Sequence, residues 1–193
     1  MKTADWLNFF NKHSDTKIFH INHLKLLTNI DTHSLRVALA RLNKKNIVKR
    51  ICRGFYANPF NPPTLEEISS QIYPPSYISL ESALYSWGIL SQIPQVLTCV
   101  TTQLPRTFNT SFGIIEYHQI KKDYFWGFIN KQGYFIAEPE KALLDYLYLY
   151  KKMVDKSILS ELNLNDINRR KLKSYVEKMI PKNLSHILQS LQL

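Results

Sequence analysis

Three prolines within five residues divide this chain. Across Asn58-Pro59-Phe60-Asn61-Pro62-Pro63, proline's fixed φ and missing N–H groups rule out a helix interior or a central strand. The sequence on either side must form its own set of elements, which predicts one domain over 1–58 and another over 64–193. Charge changes at the same place. Residues 1–57 carry eleven Lys/Arg against Asp5, Asp15 and Asp31, a balance of +8, whereas residues 58–193 carry fourteen against twelve acids, a balance of +2. His13, His20, His23 and His33 also lie in the first part. A basic block of this kind is either a solvated face or the footprint of a polyanionic partner.

The order of elements in the basic part narrows that choice. Thr3 is placed to cap a helix running to about residue 13, with Trp6, Phe9 and Phe10 at helical spacing. Lys17-Ile18-Phe19 reads as a short extended segment. Asn22 is placed to cap a second helix bearing Leu24, Leu26 and Leu27, and Asn29-Ile30-Asp31 reads as a turn. Asp31 or Thr32 then caps a third helix to about residue 45. Two short helices around a three-residue turn make the helix-turn-helix pattern. On the third helix, Leu35, Ala38, Leu39 and Leu42 share one face at 100° per residue, and His33, Arg36, Val37, Ala40, Arg41 and Lys44 share the other. Small residues admit a close backbone approach to base edges, and apolar ones touch thymine methyls. Arg36 or Arg41 suits guanine, and Lys44 suits a phosphate. By itself this helix reads first as an ordinary amphipathic helix with a solvated basic face. Residues 47–51 read as a strand, Cys52-Arg53-Gly54 as a tight turn and Phe55-Tyr56-Ala57 as a returning strand. Helix, turn, helix and basic hairpin predict a winged helix-turn-helix. Lys49, Arg50 and Arg53 fall on its wing, placed for DNA backbone or minor groove.

Beyond the linker, Thr64 caps a helix to about residue 72, and Ser79 caps another that Gly88 closes. Strands are expected over 95–102, 113–120, 124–129 and 134–137. Pro139 opens a helix running to about residue 152, and helical pieces are expected over 157–193 with a break near Pro181. The predicted class is α+β: an N-terminal winged helix-turn-helix, then a mixed α/β domain with a helical tail.

Several chemistries are missing from the sequence. Its five glycines are scattered and form no phosphate-cradling loop, dinucleotide fingerprint or nucleophile elbow. Cys52 and Cys99 form no paired ligand motif, and His118 and His186 have no carboxylate at ligand spacing, so neither a metal site nor a cofactor is expected. Glu138, Glu140, Lys141 and Asp145 are the one dense charged cluster. A nuclease would pair such carboxylates with lysine around magnesium. Glu140 and Asp145, however, do not share a helix face, and Glu138 and Glu140 suit the positive end of a helix. The absence of a membrane-length apolar run and of a signal-peptide pattern, with only two cysteines, points to the cytoplasm.

Three strings carry a more specific likeness: Arg53-Gly54-Phe55-Tyr56-Ala57, Pro75-Ser76-Tyr77-Ile78-Ser79-Leu80-Glu81-Ser82-Ala83-Leu84, and Ile136-Ala137-Glu138-Pro139-Glu140-Lys141-Ala142-Leu143-Leu144-Asp145. In this order, with the segment 96–102 and Phe125-Trp126-Gly127 between them, the chain resembles the AbiEi family over about residues 3–150. These are abortive-infection antitoxins and transcriptional regulators of type IV toxin–antitoxin operons. The resemblance implies a non-enzymatic autorepressor that binds inverted repeats in operator double-stranded DNA. Its C-terminal domain would counter a nucleotidyltransferase toxin, with no stable complex required. Carried over by position, the DNA surface lies at Arg36, Arg41, Lys44, Arg50 and Arg53, and the residues' own pattern adds His33, Val37 and Lys49. The alternative is a ligand-sensing repressor whose C-terminal aromatics (Tyr73, Tyr77, Tyr85, Trp87, Tyr124, Phe125, Trp126) line a pocket rather than a core.

Overall fold

The computed structural model describes residues 1–150 and 162–179. Among the described residues the fold is mixed α+β with two sheets. Two compact units form: Met1–Ile68 together with Phe108–Gly113, and Ser69–Thr107 together with Ile114–Leu193.

In the first unit, α1 (Thr3–Lys12) buries Trp6 and Phe10 and is capped from Lys2, whose backbone N–H donates to Asp5. Thr3 is therefore the first helical residue rather than the cap, because the Asp5 carboxylate satisfies the helix end. Strand β1 (Ile18–His20) leads directly into α2 (Ile21–Thr28). The cap of α2 is His20, whose Nδ1 accepts the Asn22 N–H at 3.3 Å, so Asn22 is inside the helix rather than capping it. Asn29 ends α2 in the left-handed region at φ 55°, where asparagine is tolerated. Asp31 then accepts the N–H groups of His33 and Ser34 and opens α3 (Thr32–Lys44). Strands β2 (Arg50–Cys52) and β3 (Phe55–Ala57) follow, in a sheet of order β1-β3-β2 with antiparallel pairing. The first strand of this hairpin starts at Arg50 rather than at 47, because Asn46 takes a positive φ and the Ile47 N–H turns back to the Leu42 carbonyl. Trp6, Phe10, Phe19, Leu24, Leu35, Leu39, Leu42, Val48 and Tyr56 close one core under the three helices and the sheet.

After the prolines, α4 (Leu65–Ile72) starts on a reciprocal cap: the Thr64 N–H donates to Glu67 and the Glu67 N–H to the Thr64 hydroxyl. Strands β4 (Ser76–Ile78), β5 (Leu97–Thr101), β6 (Arg106–Thr110), β7 (Gly113–Gln119), β8 (Phe128–Lys131) and β9 (Tyr134–Ala137) form a six-stranded sheet of order β6-β7-β5-β4-β9-β8. Its pairs are parallel for β4–β9 and β5–β7 and antiparallel for β4–β5 and β8–β9. Strands β4 and β6 are additions to the sequence reading. The strand expected over 124–129 is instead a 3-10 turn at Lys122–Tyr124 followed by β8. Every residue of β5 is buried, as expected where both faces of a strand are covered. Helices α5 (Leu80–Ser86) and α6 (Pro139–Leu149) pack on each other, and α7 (Arg169–Met179) packs on α6. Of the helical tail expected over 157–193, residues 162–168 form an irregular stretch with a turn rather than helix; 157–161 and 180–193, including the break at Pro181, lie outside the described residues. Among the described residues no helix is long and apolar enough to cross a membrane.

Candidate nucleic-acid interface

Helix α3 owes its exposed face to its core stripe. With Leu35, Leu39 and Leu42 buried, the remaining positions are forced outward. His33, Arg36, Val37, Ala40, Arg41, Asn43 and Lys44 are all exposed. Val37 leaves 39% of its surface in water. The Asp31 carboxyl at the helix start is held below its usual range by the Ser34 hydroxyl and backbone N–H, which outweigh desolvation, with the His33 N–H and charge adding to them.

The hairpin beside α3 is tied to it through the Asn43 side chain. Asn43 accepts the Arg50 N–H at 2.9 Å, and the Arg50 Nε donates to the Cys52 carbonyl at 3.2 Å, which bends its guanidinium along the strand. Gly54 sits at φ +86°, and the Ile21 N–H donates to its carbonyl at 2.8 Å, which anchors the turn to the start of α2. A Cβ at Gly54 would lie 3.3 Å from the His20 Nε2, so the turn needs glycine for both conformation and room.

These ties leave a groove of about 610 Å³ lined by His20, Ile21, Asn22, Arg36, Ala40, Asn43, Arg50, Arg53, Gly54 and Tyr56. Of the candidates read from the sequence, it brings together Arg36, Arg50 and Arg53. His33, Val37, Arg41 and Lys44 lie on the exposed face of α3 but do not line it. Lys49 is drawn elsewhere: its ammonium lies 4.1 Å above the Phe112 ring, and the Ser111 N–H donates to the Ile51 carbonyl nearby. Among the described residues no carboxylate forms an ion pair with Arg36, Arg41, Lys44, Arg50 or Arg53. The groove also recruits Asn43, His20 and Asn22, which the sequence reading had not selected. Asn43 was detectable from its spacing, since 36, 40 and 43 share a helix face. Nothing local marked His20 or Asn22.

No protein-family model and no curated protein matches this chain.

A second polar cluster is buried in the other unit. Lys141 and Asp145, one helical turn apart on α6, form an ion pair with no exposed side-chain surface on either partner. Asp145 also accepts from the Tyr77 hydroxyl at 3.0 Å and the Ser79 hydroxyl at 2.8 Å, and the Lys141 Nζ donates to the Tyr77 oxygen at 3.0 Å. The Lys141 ammonium lies 5.2 Å from the Trp126 ring centroid and 5.5 Å from that of Tyr77. Burial raises the Asp145 carboxyl and lowers the Lys141 ammonium, each opposed by attraction to the other, and burial followed by the Asp145 charge pushes Tyr77 well up. Ser79 thus spends its hydroxyl on Asp145 and makes no side-chain cap to α5. Glu138 and Glu140, expected as helix-end charges, bind α7. Glu138 takes Lys171 at 2.8 Å and the Tyr175 hydroxyl, and Glu140 accepts the Asn168 N–H at 2.9 Å. The C-terminal aromatics largely meet one another: Tyr77 stacks on Phe128 at 4.7 Å, Phe125 lies 5.2 Å from Phe128, and Trp126 meets Tyr175 edge-on. Among the described residues no group of three His, Cys, Asp or Glu side chains is placed to hold a metal ion.

Proposed function

We propose that the protein is a DNA-binding transcriptional regulator whose first unit is a winged helix-turn-helix. The observation that carries this reading is the convergence of cationic side chains from α3 and from the β2–β3 turn, which among the described residues form no ion pair with a carboxylate. Left alone, such a cluster repels itself; opposite a duplex, each cation replaces a condensed counterion. The element order α1-β1-α2-α3-β2-β3 and the sheet order β1-β3-β2 support the same reading. In it, α3 enters the major groove, α2 crosses the backbone and the hairpin flanks it. Binding of the full chain to duplex DNA, followed by fluorescence anisotropy, should fall by on the order of 10²–10⁴ between low and moderate salt. Binding that stays flat with salt would refute it.

The resemblance to AbiEi regulators extends this to an operator-binding autorepressor, acting in the cytoplasm, that also counters a nucleotidyltransferase toxin without being an enzyme itself. The second and third of the resembling strings, far apart in sequence, meet in the buried cluster: Tyr77 and Ser79 come from one, Lys141 and Asp145 from the other. This supports treating them as parts of one domain core. The test is coexpression with a nucleotidyltransferase-like toxin encoded next to this chain. Growth should be rescued by the full chain and by the Arg36→Ala, Arg41→Ala double variant alike. Failure of both to rescue would overturn the antitoxin role and leave the regulator.

A further inference from the structure

The cations of α3 do not form one surface. At about 100° per residue, Arg36, Ala40 and Asn43 fall in one narrow stripe, while His33, Val37, Arg41 and Lys44 fall in another about 90° further round the helix. The second stripe lies opposite the buried Leu35, Leu39 and Leu42. It therefore forms the outermost ridge of α3, the part that reaches deepest into anything the helix enters. The first stripe turns sideways toward the hairpin and, with Arg50 and Arg53, walls the groove. Ala40 keeps that wall low, and Gly54 adds no side chain to the hairpin side.

We infer that this groove seats a backbone phosphate of the bound duplex. Arg36 and Arg53 hold that phosphate from opposite sides, and sequence is read by Arg41 and Val37 on the outer ridge. The inference rests on the DNA-binding reading above and divides its cations by role, separating Arg36 from Arg41. A strand lying between helix and hairpin meets guanidinium groups from both, with the Arg50 guanidinium already bent along β2 by its bond to the Cys52 carbonyl. Guanidinium suits this task because its fork of donors matches phosphate oxygens. On the outer ridge Arg41 stands beside one exposed apolar side chain, Val37, the chemistry of guanine and thymine readout in a major groove.

The test uses the full chain and duplexes selected by it from a random-sequence pool. Each variant is titrated against the selected duplex and a scrambled one across a salt series. Arg36→Ala and Arg53→Ala should weaken both duplexes by the same factor, each lowering the salt slope by about one. Arg36→Lys should restore the slope. Arg41→Ala should lose about 5- to 150-fold on the selected duplex only, and a repeat selection should show preference relaxed at one base pair. A changed base preference in Arg36→Ala, or an equal loss on both duplexes in Arg41→Ala, would overturn the division. So would parental binding by Arg36→Ala and Arg53→Ala. A parent chain that binds no duplex would overturn the DNA reading itself, and this inference with it. All three arginines are exposed, so circular dichroism should show parental folding throughout.

Discussion

Replacing Asp145 with asparagine removes the charge that compensates Lys141 while keeping the volume almost unchanged. In the parent, the carboxylate takes three donors: the Lys141 ammonium, the Tyr77 hydroxyl and the Ser79 hydroxyl. Asparagine presents one acceptor and one donor group, so the ammonium is left with neutral partners alone: the amide oxygen, the Tyr77 oxygen at 3.0 Å and the faces of Tyr77 and Trp126. Breaking a buried pair by removing one partner costs about 3–5 kcal/mol, a large share of the roughly 5–15 kcal/mol that holds a domain together. At roughly 2–4 °C per kcal/mol, the melting point should fall by about 6–20 °C. The loss should shrink as pH rises. Burial lowers the Lys141 ammonium, and without Asp145 to oppose it the folded-state pKa drops further below the unfolded one. The folded state then binds fewer protons than the unfolded state between those values, so stability increases with pH in that window. Lys141→Met with Asp145→Leu removes both charges and should recover most of the loss. Urea unfolding followed by tryptophan emission at pH 7 and pH 9.5 measures all of this. An Asp145→Asn variant within about 1 kcal/mol of the parent, or a double variant no better than the single one, would refute the argument.

The Gly54→Ala variant forces a Cβ into a left-handed backbone, costing about 1–2 kcal/mol; it should lower both the melting point and DNA affinity, and unchanged affinity would mean the turn takes no part in binding. Asn58 is fully buried, donating to the Phe10, His13 and Thr16 carbonyls and accepting from the Phe60 N–H; Asn58→Ala should cost about 1–3 kcal/mol in chemical denaturation by stranding those groups, and a neutral result would contradict the burial. The docking of α7 should weaken in acid. Burial pushes the Glu138 carboxyl up, but the Lys171 and Tyr175 bonds outweigh it and hold it below its ordinary 4.5. Its contribution is therefore full above that value and lost as pH falls through the lower, folded one. The Trp126 indole resonance, next to Tyr175, should shift in that range, and an identical profile in Glu138→Gln would refute the assignment.

What could be read from the sequence was local. The α3 stripe of Leu35, Leu39 and Leu42, the Asp31 cap and the Phe55–Ala57 strand each depend on neighbours within one or two turns. Caps were less secure, because side chains two or three residues away compete for the same N–H groups, as Asp5 and His20 do. Strand β4 escaped because its three residues are all buried and show no alternation. Strand β6 escaped because its single large apolar residue, Phe108, sets no pattern. The Lys141–Asp145 pair had visible i, i+4 spacing, but its burial depends on Tyr77 and Ser79 more than sixty residues earlier. Similarly, the exposed arginines of α3 were evident from the helix, whereas which of them lines the groove depends on where the hairpin packs.

The first unit is discontinuous in sequence, completed by Phe108–Gly113. Phe112 lies beneath the Lys49 ammonium and Ser111 bonds to Ile51, so the hairpin that would flank DNA receives its last supports from residues made more than fifty positions later. On a translating ribosome the basic helices emerge early, yet the unit cannot be finished until residue 113 has cleared the exit tunnel. Nascent chains shorter than that therefore carry an incompletely braced hairpin, and the order of synthesis delays the bracing until residues 69–107 of the second unit have also emerged.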